Sequence, residues 1–206
     1  MNRTSCIAGI VLAAGESARM GRTKQLLPFR DRTVVECVVA AALASSLSYL
    51  VVVLGHEAEH IRPLLRGKNL VIAVNPDYAD GQSSSLKTGL RALTEETEAV
   101  LFLLGDQPLI TPECIDLILS AYRTSPAPIV LPVYAGRRGN PALFSRETFP
   151  HIATLSGDCG ARAIFEKYAD RILTLPVADP AIHFDIDTEE DYRSLLRLPP
   201  ARVISR

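Results

Sequence analysis

The sequence has no excess of either charge. Its 22 basic and 23 acidic side chains leave a formal charge of -1 over 206 residues, so no global field draws in a polyanion, and nucleic acid is excluded as a main partner. A phosphate-bearing ligand would have to be held by a local cluster. The four cysteines, Cys6, Cys37, Cys114 and Cys159, fall singly, without a CxxC pair to chelate a metal or form a redox couple. They read as reduced core thiols of a cytoplasmic protein. No stretch reaches the ~18 apolar residues of a membrane helix, so no membrane partner is expected. The apolar stretch that follows Arg3 is short, lacks a cleavage site and runs straight into a glycine loop. It reads as a first buried strand rather than a targeting segment. Linkers, low-complexity segments and long-period repeats are missing too, and one domain over residues 1–206 is expected, since domains usually span about 100 to 200 residues.

What is present is a repeat of short apolar runs and helix-like segments. Residues 7–13, 50–54, 70–74, 100–104 and 129–133 have strand length and β-branched content without polar alternation, the pattern of buried, largely parallel strands. Between them, 34–44, 58–65, 85–93 and 112–122 have helical spacing. In the last, Ile115, Ile118, Leu119 and Tyr122 share a face, with Thr111 as N-cap and Pro112 at the first helical position. This is a βα series with right-handed crossovers. Past Val133 the pattern changes to a turn, AGRRGNP, a strand at 142–144, two helices flanking SGDCGAR, strands at 172–177 and 182–186, and a helix from Glu189. The tight connections predict some antiparallel pairing in the C-terminal half.

In an open α/β sheet ligands bind outside the carboxyl ends of the strands, and polar motifs collect there. LAAGESARMGRTK, residues 12–24, follows the first strand. It is not a P-loop, because five residues separate Gly15 from Gly21 and Lys24 lies three further on, and it lacks the three glycines of a dinucleotide fold. Its small residues let backbone N–H groups approach phosphate oxygens while Arg19 and Lys24 supply charge, which suits a nucleoside triphosphate; a tight turn with solvated cations is the other reading. Asp106, in LGDQP, ends an apolar strand and is either a turn or cap residue or a ligand of a hard cation such as Mg2+. Asp185 and Asp187 in HFDIDT, two apart, are placed on one face of the 182–186 strand, as caps or as partners of Asp106 around an ion.

DGQSSSLKTGL joins a glycine turn, Gly81, to the hydroxyls of Ser83, Ser84 and Ser85 at a helix start, where they serve as caps or read a base or ribose. In RGNP, Gly139 and Pro141 fix a turn around Asn140, whose amide is available to a second substrate. HEAEH, residues 56–60, matches a zinc-protease pattern, but that chemistry needs both histidines inside one helix, and His56 sits at a strand end with Pro63 close behind. A solvated helix start is expected.

Taken in order, LAAGESARMGRTKQLLPF, GHEAEHIRPLL, NPDYADGQSSSLKTGL, LLGDQPLITPECIDLI, RGNPALFS, LSGDCGAR and FDIDTEEDY resemble the MobA-like nucleotidyltransferases, most closely their molybdenum cofactor cytidylyltransferase branch. The similarity covers nearly the whole chain. It implies a Rossmann-like three-layer α/β sandwich and transfer of a nucleotidyl group from a nucleoside triphosphate to a phosphorylated acceptor, with release of pyrophosphate. By position it implies that Leu12, Ala13, Ala14 and Gly15 contact base and phosphates, with Gly81 and Ser83 to Ser85 beside them. Arg19 and Lys24 would hold the triphosphate, and Asp106 with Asp187 or Asp185 the Mg2+. Gly139, Asn140, Pro141 and Asp158 would border the acceptor pocket. Guanylyltransferase relatives typically show LAGG; the methyl of Ala14 here would narrow the base site and favour CTP. Gln82 stands where relatives often carry methionine.

The expected reaction is CMP transfer from CTP to the terminal phosphate of molybdopterin, with a molybdoenzyme as possible client. A phosphate monoester is mostly dianionic at neutral pH, which fits the lack of a Ser/His/Asp or Cys/His set. Another phosphorylated acceptor, a sugar or alcohol phosphate, and a non-catalytic cofactor carrier are the alternatives.

Overall fold

The computed structural model describes residues 5–199. The chain forms β1 (Ile7–Ala13), a hairpin of β2 (Pro28–Phe29) and β3 (Arg32–Thr33), α1 (Val34–Ala44), β4 (Tyr49–Leu54), α2 (Ala58–Ile61), β5 (Val71–Val74), α3 (Gln82–Arg91) and β6 (Ala99–Leu104). It continues through α4 (Pro112–Thr124), β7 (Ile129–Tyr134), β8 (Arg137–Arg138), β9 (Ala142–Ser145), α5 (Phe149–Ala153), β10 (Ile172–Pro176) and α6 (Glu189–Leu196). The main sheet runs β10-β7-β9-β6-β1-β4-β5, with β8 paired to β7. β1 lies parallel to both β4 and β6, in register Ile10↔Val51 and Ile10↔Phe102. β9 inserts antiparallel between β6 and β7, the antiparallel pairing expected in the C-terminal half.

Alternation along β1 builds two cores. Ile7, Val11 and Ala13 face α1 and α4, packing with Val35, Val38, Val39, Ile115, Ile118 and Leu119. Ile10 and Ala14 face the opposite layer, with Leu86 of α3, Ile152 of α5 and Phe102 and Phe144 of the sheet. Helices on both faces are why the parallel strands read as continuous apolar runs. A smaller third cluster joins Leu27, Phe29 and Val34 to Ile186, Tyr192 and Leu195, and so ties the hairpin after the first loop to α6. Thr111 caps α4 by accepting from the Cys114 N–H, with Pro112 behind it. Thr188 caps α6 in a reciprocal capping box with Asp191.

Four expectations need correction. No strand forms at 182–186: a 3-10 turn covers Pro180–His183 and the chain continues extended and unpaired into the N-cap of α6. The helix expected at 58–65 splits at Arg62, where Pro63 removes an N–H and the chain tightens into a 3-10 turn, Arg62–Leu65. The second helix around SGDCGAR is two 3-10 segments, Ala161–Ile164 and Glu166–Arg171. β5 is an edge strand with Val71 and Val74 exposed, not a buried one.

Candidate active site

The chain runs outward from β1 through β4 to β5, then crosses back to place β6 on the other side of β1. Beyond the carboxyl ends of β1 and β6, where the strand order reverses, such a sheet leaves a crevice. The loop leaving β1 is folded by its own polar groups. Ser17, at φ 56°, accepts the Lys24 N–H through Oγ at 3.1 Å and donates to Gln25 Oε1 at 3.3 Å. Gly21 turns the chain at φ 66°, and a 3-10 turn, Lys24–Leu26, ends the loop. His56, at the end of β4, donates its N–H to Ala14 O at 3.1 Å.

Lys24 then points back across β1. Its Nζ lies 2.5 Å from Asp106 Oδ2 and 3.1 Å from Asp187 Oδ1, while an Arg19 guanidinium nitrogen lies 3.0 Å from the other Asp187 oxygen. The Lys24 and Asp106 side chains are only 14% and 15% exposed, so this is a partly desolvated network rather than a surface ion pair. Burial works to lower the Lys24 pKa, but the Asp106 charge and the hydrogen bonds that Lys24 donates to Asp106 and Asp187 outweigh it, and the net direction is up. The ammonium stays charged. Asp185 is pushed up by burial first and then by the charges of Asp106 and Asp187, with Lys24 opposing.

Asp185 and Asp187 reach this place without a strand. The Ile186 N–H donates to Asp106 O at 3.2 Å, and the Ile186 side chain is fully buried in the third core. In extended backbone the residues on either side of an inward-facing one face outward, and both carboxylates border the crevice. The period-two argument survives on an unpaired segment.

The crevice measures about 780 Å3. Leu12, Ala14, Gly15, Arg19, Lys24, Gly81, Ser85, Asp106, Gly139, Asn140, Asp158, Asp185 and Asp187 all line it. Among the expected residues, Ala13, Ser83, Ser84 and Pro141 are not in its wall. Ala13 is fully buried on the opposite face of the sheet, as alternation from Leu12 requires. Ser84 donates to Gly81 O at 2.8 Å and accepts, like Ser85, from the buried Asn75 amide, so the serines mainly brace the start of α3. Pro141 follows a cis peptide after Asn140. Ala14 is 3% exposed, and its Cβ sits 2.8 Å from where a Cβ on Gly55 would lie; its methyl therefore offers little surface to a base.

Asp158 has a second task. Its Oδ1 accepts the Gln82 N–H at 3.4 Å, and Gly157 O accepts the Ser83 N–H at 3.3 Å, which docks the 157–160 loop on the N-terminus of α3. That docking requires Gly81: its φ is +98°, and a Cβ there would lie 2.6 Å from the Asp158 nitrogen and the Gly157 carbonyl carbon.

Sequence reasoning missed Ser17, Gln25, Tyr78, Phe102, Phe144, Arg138, Arg162 and Phe165, which also border the crevice. Phe102 and Phe144 look like ordinary core residues of apolar runs, and only the register of β6 with β9 places them at the crevice. Arg138 and Arg162 had a signal in the RGNP and SGDCGAR motifs, whose readings rest on Gly139, Asn140 and Pro141 and on Asp158 instead.

A divalent cation fits this donor set in part. Asp106 Oδ1 is buried without a hydrogen-bond partner among the described residues, a carboxylate oxygen of the kind hard cations take. Among the described residues no group of three or more His, Cys, Asp or Glu is arranged to hold a metal. Mg2+ commonly takes one or two carboxylates and completes its shell with phosphate oxygens and water, which is the set Asp106 and Asp187 can offer. HEAEH supplies no such set: His56 Nδ1 contacts Thr23 Oγ1 at 3.3 Å, Glu57 sits at φ 51°, and α2 has four residues.

A family model described as MobA-like NTP transferase domain matches residues 9–172. The chain belongs to this family. It is 32% identical to the nicotine blue oxidoreductase of Paenarthrobacter nicotinovorans, over 93% of this chain and 97% of that one. It is 28% identical to the molybdenum cofactor cytidylyltransferase of Escherichia coli strain K12, over 91% and 94%. The crystal structure of Rv0371c from Mycobacterium tuberculosis H37Rv superposes with a TM-score of 0.85 at 30% identity, covering 95% of this chain and 100% of that one. Its complex with manganese superposes at 0.82, with 31% identity and the same coverage of 95% and 100%. Among the described residues no helix is long and apolar enough to cross a membrane.

Proposed function

We propose that this MobA-like transferase moves CMP from CTP to the terminal phosphate of molybdopterin and releases pyrophosphate, in a Mg2+-dependent reaction in the cytoplasm. The observation that carries the reading is the Lys24 bridge. One ammonium from the first loop touches Asp106 after β6 and Asp187 before α6, so three distant segments meet in the crevice of a nucleotidyltransferase family member. The E. coli relative named for this activity supports the donor and acceptor, and the manganese complex of Rv0371c supports a divalent cation. A molybdoenzyme as client completes the proposal.

In the reaction an acceptor phosphate oxygen attacks the α-phosphorus of CTP, a new P–O bond forms, and the bond from that phosphorus to the bridging oxygen breaks toward pyrophosphate. The nucleophile is already dianionic near neutral pH, so no side chain has to remove its proton. Lys24 and Arg19 hold the triphosphate and neutralise the charge that builds on the leaving pyrophosphate. Asp106 and Asp187 are the residues that would hold Mg2+, with Asp185 behind them; when bound, the ion supplies charge neutralisation on the phosphates. Positioning and electrostatics do the rest.

The test is pyrophosphate release from a panel of CTP, GTP, ATP and UTP against molybdopterin, sugar phosphates and alcohol phosphates, with and without Mg2+. The proposal expects CTP with molybdopterin to lead. A different pair in the lead reassigns the substrate. Tight molybdopterin binding without turnover of any triphosphate would make the chain a carrier. Turnover of a redox substrate alone would align it with the relative named an oxidoreductase.

A further inference from the structure

Asp106 and Asp187 carry two carboxylate oxygens each, and in this chain every one of them is engaged or buried. Lys24 Nζ holds Asp106 Oδ2 at 2.5 Å and Asp187 Oδ1 at 3.1 Å, and Arg19 holds Asp187 Oδ2 at 3.0 Å. The remaining oxygen, Asp106 Oδ1, is buried without a partner among the described residues. A Mg2+ ion shared by the two acids would need an oxygen of each within about 2.0–2.1 Å. Between Asp106 Oδ2 and Asp187 Oδ1 that space is filled by the ammonium. Two positive centres cannot share it, because their repulsion is strong in a partly desolvated site.

Only the end of Lys24 has to move to clear it. The backbone is pinned: the Lys24 N–H donates to Ser17 Oγ at 3.1 Å, the Leu27 N–H donates to Lys24 O at 3.2 Å, and the preceding Thr23 is buried. His56 meets Thr23 from the end of β4, Nδ1 to Oγ1 at 3.3 Å. The ammonium, by contrast, rides on a flexible four-carbon stem. It borders the same crevice as Gly15, Ser17, Ala18 and Arg19 of the first loop, where a triphosphate would offer it other anions. Asp185 lines the crevice too and makes no ion pair among the described residues, but one carboxylate without phosphate oxygens is a poor hold for such an ion.

We propose that the Lys24 ammonium plugs the divalent-cation site when no nucleotide is bound, so that the cation enters only with a triphosphate that draws Lys24 away. The inference rests on the transfer reaction proposed above and concerns how its site is loaded. Before the nucleotide arrives, Lys24 keeps Asp106 and Asp187 from repelling one another. On its arrival Lys24 exchanges carboxylate oxygens for phosphate oxygens, and both acids become free to take the cation. The charges stay matched throughout, since the triphosphate supplies the anions for Lys24 and the cation replaces the ammonium between the acids. Cation and triphosphate are thus positively coupled, each favouring the arrangement that the other needs.

The test is Mn2+ binding to the full chain without nucleotide, read from the loss of the free-ion signal in electron paramagnetic resonance. Lys24→Ala and Lys24→Met bind Mn2+ about tenfold or more tightly than wild type, the size expected when a charge-assisted contact no longer has to be broken. Lys24→Arg, which keeps a cation, stays near wild type. The methionine variant retains the stem, so a loop disturbed by alanine is told apart from a plug removed. The titration is then repeated on CTP-saturated protein, with the ion bound by CTP itself subtracted from a protein-free run. There the advantage of the uncharged variants disappears, because wild-type Lys24 has by then left the acids; a lysine that merely repelled the ion from a fixed place would preserve it. Wild-type Mn2+ affinity in both uncharged variants, or an advantage that persists with CTP, would overturn the proposal. If the Mn2+ results hold while no triphosphate is turned over with any acceptor, the transfer reaction fails and the plug stands.

Discussion

The two ends of the crevice are built on opposite principles. At the β1 end the charged groups neutralise one another: Lys24 lies between Asp106 and Asp187, and Arg19 covers the remaining Asp187 oxygen. At the β7 end Arg138 and Arg162 are exposed at the crevice rim, Arg138 with its guanidinium 6.0 Å from the Phe165 ring centre, and among the described residues neither has a carboxylate partner. A partly buried network of this kind fixes side-chain geometry before any ligand arrives, whereas unpaired exposed guanidiniums leave their geometry to the ligand. The difference teaches that one end holds its charged groups in place through one another, whereas the other leaves two cations exposed.

The strongest way to break the comparison is Asp106→Ala. If the β1 end is the chemical end, turnover falls at least about a hundredfold while circular dichroism and the melting profile keep the native form, because Asp106 lies past the strand and its loss opens no core cavity. Normal pyrophosphate release in this variant would remove the distinction. Lys24→Ala comes next: kcat/KM for the triphosphate should fall about tenfold or more in steady-state kinetics, with acceptor KM unchanged.

Gly81→Ala tests the joint between the ends. Its left-handed φ and the backbone of residues 157 and 158 leave no room for a Cβ, so urea unfolding should show a loss of about 1–3 kcal/mol. Wild-type stability there would mean that the 157–160 loop is not docked as described. The smallest effect concerns Asp185. Its pKa is raised in the folded state, so folding is opposed once the carboxyl ionises, and stability is lost as pH rises above the ordinary value of 3.8. Asp185→Asn should therefore melt higher than wild type at pH 7 in metal-free buffer. Well below the ordinary range, where both states are protonated, the advantage should vanish.

Much of the β1 end was legible from sequence because its residues sit where simple rules put them. The strand at Ile7–Ala13 and the helix at Val34–Ala44 are visible as continuous apolar runs and helical spacing. Arg19, Lys24 and Asp106 follow strand ends, where α/β sheets gather ligands. Asp185 and Asp187 were found through a strand that does not exist; the alternation held because buried Ile186 orients its neighbours in extended chain. The β7 end was mostly illegible. Phe102 and Phe144 match any core phenylalanine, and their role depends on β9 pairing antiparallel with β6, a long-range register no local pattern specifies. Ser84 misled in the other direction: its hydroxyl, at a helix start, satisfies the backbone and Asn75 rather than a ligand.

The central claim is that the first loop and two distant acids share one triphosphate. A crystal structure with CTP and Mg2+ tests it in one measurement. The account predicts phosphate oxygens on Arg19 and Lys24, a cation on Asp106 and Asp187, and no nucleotide density over the Phe165 ring. A triphosphate bound away from Lys24, or a cation that ignores both Asp106 and Asp187, would contradict it.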